Sequence, residues 1–385
     1  MREHLKGLST SKEVKIIWSL KNELSLFDEL KKINPKIEGI INYILELNSI
    51  PIQEELNDFK SDQLERPAGS RRAFYWYFSD NENVIAVKGT EIISNSINEA
   101  FKKDSLIKLP NRPWTTFENF IYREQKAPLA MLLNEAKEEA EIGIKYQKKI
   151  FNTFGHFEEA PIPIIVFKWH EKIIEDYKKK LEPFLEKRAK ELIFPLIDFY
   201  GIGGVLYYFP YLPTRIRFKD KKTQLESKKN NFNRLASFNK LIEIQSRMLL
   251  ADFLPFSFED HGIGQCIAPQ NVTLRGGICD LGSIKEGLNN FKDGELFDLL
   301  RSLGVILVRT SWELLCNESH ELIYEFDNPT TYMYFISSLI HNKIKKNINE
   351  FGEAYSIQPD LRVKKFYESE DKDILKILNE GKLFL

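Results

Sequence analysis

Few cysteines, no excess of either charge and no long apolar run: each shortage in this chain removes a class of protein. Only Cys266, Cys279 and Cys316 occur in 385 residues, far apart and with no CxxC pair. An odd, scattered set supports neither a disulfide framework nor a zinc site, and reads as reduced thiols in a cytosolic-type protein. Lys plus Arg (55) and Asp plus Glu (56) nearly cancel, which argues against a dominant nucleic-acid or membrane-surface role. The opening MREHLKGLSTSKEVK lacks the apolar stretch of a secretory signal, and no apolar run nears the roughly 20 residues of a membrane span. The expectation is a soluble cytoplasmic protein. Internal repeats and low-complexity tracts are also missing.

What is present is ample core material, 43% hydrophobic residues with 12% aromatic, in a chain long enough for two or three packed subdomains. Residues 12–60 carry apolar residues at three- and four-residue intervals and read as helices. A turn-rich joint follows at Glu65-Arg66-Pro67-Ala68-Gly69-Ser70. Ala73–Phe78 and Val84–Lys88 read as strands around a turn-forming run, and Leu129–Phe154 as a long amphipathic helix closed by Gly155. Ile162–Trp169 is β-rich, 171–194 a charged helix resembling an insertion, and Gly204–Phe209 another strand. After the connector Pro210–Pro213, helical spacing dominates in Phe232–Leu254, Leu296–Leu315 and Thr331–Ile348. Strands first and helices later is the order of a two-lobed α+β fold. The expected divisions are a helical extension over 1–65, a small β-rich lobe over 66–210 and a mainly helical large lobe over 211–385.

One segment interrupts the helical half: His261–Ser283, HGIGQCIAPQNVTLRGGICDLGS. Asn271–Leu274 and Gly277–Leu281 flank Arg275-Gly276 as a tight hairpin signal. Asn271 starts it, and Asp280 lies nine residues later at its end. The amide oxygen of Asn271 and the carboxylate of Asp280 are hard oxygen donors, suited to a Mg²⁺ ion that keeps several waters. Upstream, Val84-Ile85-Ala86-Val87-Lys88 is an apolar strand ending in a cation. Glu135, Glu138, Glu139 and Glu141, on the following helix, are candidates to orient it, with Glu138 favoured.

The order strand Lys, helix Glu, connector, long helix, His-Gly, Asn, Asp-Leu-Gly resembles the protein-kinase-like superfamily over roughly residues 67–320. The resemblance implies a two-lobed kinase-like fold that binds ATP and Mg²⁺. Lys88 would then hold the phosphates, partnered by Glu138, and Asn271 and Asp280 would hold the metal, with His261 in the catalytic loop. Arg71 and Arg72 would contact phosphate or be surface charge, since Pro67–Arg72 matches a Gly-rich loop poorly. Phe209, Tyr211 and Leu212 would wall the adenine.

His261-Gly262 is similar to the start of the aminoglycoside phosphotransferase loop, but Ile263 stands where that family keeps its catalytic Asp. The nine-residue interval from Asn271 to Asp280 is similar to selenoprotein O-type pseudokinases, which transfer AMP to protein hydroxyls; their Asn follows an Asp, whereas Gln270 stands here. Gln270-Asn271 is also similar to part of the HGQN motif of siderophore synthetases, without the contiguous motif. The implied function is an ATP- and Mg²⁺-dependent transferase acting on a protein, peptide or small-molecule acceptor. Adenylyl transfer and a nucleotide-binding pseudokinase without turnover are the alternatives. Asp260 and Glu259 are candidates to stand in for the missing base.

Overall fold

The computed structural model describes residues 10–52, 64–65, 73–77, 84–90, 92, 121, 127–128, 130–211, 213, 233–255, 265–269, 271–281, 284–315 and 329–369. It is a mixed α and β structure with a curled antiparallel sheet. Two compact units emerge: Met1–Glu141 with Ile162–Leu212, and Ile142–Pro161 with Pro213–Leu385.

The first unit is built on seven strands. These are β1 (Thr10–Ser19), β2 (Ser49–Ile52), β3 (Leu64–Glu65), β4 (Ala73–Tyr77), β5 (Val84–Lys88), β6 (Ile162–Trp169) and β7 (Gly203–Phe209), in the order β2-β1-β6-β7-β5-β4-β3. Every neighbouring pair is antiparallel. Strands β5, β6 and β7 are buried nearly throughout. Burial on both faces is why they read as continuous Val/Ile/aromatic runs instead of alternating ones.

One face of this sheet packs Val84, Ala86, Val166, Val205, Tyr207 and Phe209 against Leu133, Ala136 and Ala140. Those three lie on the long helix that we label α3 below, and their spacing of three and four makes one stripe. Two of the three are alanines, so the helix backbone can approach the strands closely.

The N-terminal segment departs from its expected helical character. Among its described residues the α-helices are α1 (Leu24–Ile33) and α2 (Lys36–Leu47), and β1 and β2 flank them. Strand β1 pairs with β6 in the common sheet, Val14 opposite Trp169 and Ile16 opposite Phe167. The segment is therefore part of the sheet and not a separate helical extension. Val14, Ile16, Ile17 and Trp18 are β-branched or aromatic, and pairing with a buried strand outweighs their helix-like spacing. The register slips between Ile16 and Trp18, which disguises the two-residue period.

The charged stretch after β6 also differs, forming two helices, α4 (Glu171–Leu181) and α5 (Lys187–Tyr200). Pro183 lies in the short 3₁₀ turn between them, where its missing N–H ends the first helix. Helix α3 runs Leu133–Phe154; its residues to Glu141 belong to the first unit and the rest to the second.

The second unit packs α6 (Arg234–Leu250), α7 (Asp293–Leu315), α8 (Pro329–Ala354) and α9 (Leu361–Glu368), with a two-stranded ribbon of β8 (Phe253–Leu254) and β9 (Lys285–Glu286). Helix α6 is buried almost all round, as a central helix must be. Helix α8 presents Ile336, Ile340, Ile344 and Ile348 as a buried ridge at four-residue spacing. Asp360 caps α9 by accepting from the Arg362 N–H at 2.7 Å. The Arg362 side chain returns to Asp360 and also donates to the carbonyls of Phe291 and Leu288.

The hydrogen bonds from Arg362 hold the Asp360 carboxyl below the usual carboxylate range. A depressed folded value means the stabilisation is complete above the unfolded value of about 4 and fades as pH falls through the folded one. Asp360→Ala should cost about 1 kcal/mol at neutral pH, the scale of a lost helix cap. In urea titrations the gap between variant and wild type should narrow below about pH 4.

Candidate functional site

Lys88 closes β5 on the α3-facing side of the sheet. Antiparallel register sets Lys88 opposite Val205 and Ala86 opposite Tyr207, so Lys88 and Tyr207 share that face. The Lys88 Nζ donates to both carboxylate oxygens of Glu139, at 2.6 and 2.8 Å. The Tyr207 hydroxyl donates to Glu139 Oε1 at 2.5 Å. The pair is largely enclosed, with 20% of the Lys88 side chain and 10% of that of Glu139 exposed.

Glu138, the carboxylate favoured from sequence, is exposed and is replaced by Glu139 as the partner of Lys88. Helical geometry explains the correction. At about 100° per residue, Glu138 lies roughly 200° from both Ala136 and Ala140, opposite the buried stripe, while Glu139 flanks it. Glu135 is used elsewhere, accepting from the Leu132 N–H.

The backbone joins Asn271 to Cys279, the residue before Asp280. The Cys279 N–H donates to the Asn271 carbonyl at 2.7 Å, and Val272 bridges Ile278. The Thr273 N–H donates to the Gly277 carbonyl and the Gly276 N–H to the Thr273 carbonyl. The connection is thus a three-residue loop, Leu274-Arg275-Gly276, with glycine in the left-handed position at φ 84°. The expected hairpin shrinks to this loop and one bridge. A Cβ on Gly276 would sit 2.1 Å from the Ser237 carbonyl oxygen of α6, so the loop is seated against that helix. Asn271 is 7% exposed and Asp280 half-buried.

The support under this loop was not foreseen. The Ile278 N–H donates to the Glu159 carbonyl at 2.8 Å. Residues 158–160 are held in turn by Gln147 of α3, whose amide donates to the Glu158 and Ala160 carbonyls and accepts from the Glu158 N–H. The Glu158 carboxylate receives a two-point grip from Arg247 of α6, at 2.7 and 2.8 Å, with the side chains 1% and 7% exposed. Burial opposes the charge on Arg247, but Glu158 outweighs it and holds the guanidinium above its ordinary value. Burial, with the Glu158 charge second, also raises the Tyr146 phenol well above its usual value, keeping it neutral.

Phe209 and Tyr211 are buried in the core of the first unit as an edge-on pair, ring centres 5.7 Å apart. They pack there rather than presenting a bare wall. Arg71, Arg72, Leu212 and His261 lie outside the described residues, as do Pro67–Ser70, Glu259, Asp260, Ile263 and Gln270.

An amide oxygen and a carboxylate are hard oxygen donors of the kind Mg²⁺ takes, and if it bound there the other positions would fall to water or ligand oxygens. Among the described residues no three His, Cys, Asp or Glu side chains gather as a metal site, so a cage built wholly from such ligands finds no support there. No described helix is long and apolar enough to cross a membrane. No family model matches the chain, and comparison with curated proteins and with solved structures finds no match.

Removing one partner of the Glu158–Arg247 pair strands a buried charge. Glu158→Ala or Arg247→Ala should each destabilise the protein by about 3–5 kcal/mol, while the double change Glu158→Leu with Arg247→Met should cost clearly less than their sum. Urea unfolding measures all four; additive losses would mean that the two side chains do not act as a unit.

Proposed function

We propose that the chain is an ATP- and Mg²⁺-dependent transferase of atypical kinase-like type. The observation that carries this reading is the Lys88–Glu139 pair: a strand-end lysine held at two points by a carboxylate from the helix that follows it. Counted from β3, Lys88 ends the third strand, the position that supplies the phosphate-binding lysine in protein kinases. A lysine so held keeps its position, which is what phosphate recognition asks of it. The second unit contributes Asn271 and Asp280, oxygen donors that would hold Mg²⁺ and thereby help neutralise phosphate charge. The finer fold assignment, a two-lobed kinase-like architecture, belongs to the same proposal.

Phosphoryl transfer to a protein, peptide or small-molecule acceptor is the leading reaction. Adenylyl transfer is favoured by two sequence features, the nine-residue Asn271–Asp280 interval and Ile263 in place of a catalytic aspartate. Incubation with Mg²⁺ and ATP labelled separately at the α and γ phosphates separates the readings. Transfer of γ label marks a kinase and transfer of α label an adenylyl transferase; binding without transfer marks a pseudokinase.

Lys88→Met should weaken ATP binding at least roughly tenfold, the scale of one charge-assisted contact. Asp280→Ala should remove the Mg²⁺ dependence of ATP binding and lower transfer by about 10²–10³-fold. Calorimetric titration with and without Mg²⁺ measures both; an Asp280→Ala protein that binds and acts like wild type sinks the metal assignment.

A further inference from the structure

The Lys88–Glu139 pair has a third member whose position no phosphate-binding role requires. Tyr207 is 4% exposed and lies in the apolar cluster between β7 and α3. Its hydroxyl nevertheless reaches Glu139 Oε1 at 2.5 Å, the same oxygen that accepts from Lys88 at 2.6 Å. Oε2 accepts from Lys88 at 2.8 Å. The carboxylate is therefore gripped from two elements: the phenol on β7 and the ammonium on β5.

We propose that Tyr207 is a positioning residue that pins the Glu139 carboxylate so that Lys88 stays held at two points. A glutamate side chain has three rotatable bonds, and an ammonium is a point charge that satisfies either oxygen equally well. Lys88 alone therefore leaves the carboxylate free to rock about its terminal bond. A rigid phenol donates along one direction, and its ring is locked by packing beneath α3. The bond that it makes is a charge-assisted O–H···O⁻ contact in a water-poor setting, where such bonds are short and strong. Tyr207 thus fixes the direction of Oε1, and with it the plane in which Lys88 meets both oxygens. The part of this inference that concerns phosphate rests on the transferase reading; the pinning itself does not.

The test reads Lys88 directly, without activity. The intact chain is treated with an amine-acylating reagent across pH 7–10, and modification of the peptide containing Lys88 is followed by mass spectrometry. In the wild type the paired ammonium should acylate slowly. Glu139→Gln should speed the reaction, and Tyr207→Phe, which keeps the ring and removes only the hydroxyl, should move it toward the Glu139→Gln rate. An acceleration on the order of tenfold is expected, the scale of one hydrogen bond to a charged group. Tyr207→Met fills the space flexibly without a donor and should act in the same direction. In the Glu139→Gln background, Tyr207→Phe should add nothing.

A Tyr207→Phe protein that melts like wild type and labels at the wild-type rate overturns the proposal, and so does full additivity with Glu139→Gln. Protection of Lys88 by Mg-ATP is scored separately in the wild type. Its absence counts against the phosphate-binding reading and leaves the labelling comparison to judge Tyr207.

Discussion

The second unit depends on one buried ion pair. Glu158 stands in the connection that leaves α3, and Arg247 on the helix buried most completely in that unit. Their two-point contact is made where neither charge can turn to water, so each compensates the burial of the other. The pair anchors the 158–160 segment, that segment supplies the Glu159 carbonyl to Ile278, and Ile278 bridges Val272 in the loop that joins Asn271 to Asp280. The placement of the two oxygen donors thus traces to an interaction that touches neither of them. An apolar pair of similar volume could hold the helix as firmly, but it would not present a rigid backbone carbonyl at this height on the loop.

The first unit solves a different problem. Lys88 and Glu139 sit at the margin of an otherwise apolar face, largely enclosed. As a net contribution to stability such a pair is modest, because desolvation offsets much of the attraction. What the arrangement achieves is orientation: a cation with a fixed position and a charge held by two oxygens. Tyr207 adds a directional restraint at the same point, from within the core, without adding charge.

How much of this was legible in the sequence differs by element. The hairpin strands 73–77 and 84–88 and the strand 162–169 could be read from β-branched and aromatic composition, and the long helix ending at Phe154 from its period and its closing glycine. The N-terminal strand could not, since its bulge breaks the two-residue period and its pairing partner lies about 150 residues downstream. Lys88 was recognisable as a strand-end cation. Its partner was assigned one residue early, although the Ala136–Ala140 stripe contained the phase needed to choose Glu139. Glu158 and Arg247 left no local signal at all, because a contact between residues 89 apart follows from packing, not from spacing. Tyr207 was readable only as an aromatic core residue, and its hydroxyl acquires a role only once the register with β5 is known.

Ile263 makes the acceptor the next question for chemistry of the proposed kind. A neutral hydroxyl nucleophile must lose its proton during the reaction, and a positioned carboxylate typically contributes about 10²–10⁴-fold there. An acceptor already ionised at neutral pH, a carboxylate or a phosphate, needs no such group. On the proposed reading, Lys88 would supply phosphate position for that acceptor and the Asn271 and Asp280 oxygens would supply charge neutralisation through Mg²⁺. For a hydroxyl acceptor, a carboxylate such as Asp260 or Glu259 would have to serve as the base. Substitution of these two residues separates the cases: transfer to an ionised acceptor does not need them, and transfer to a hydroxyl loses the contribution of its base.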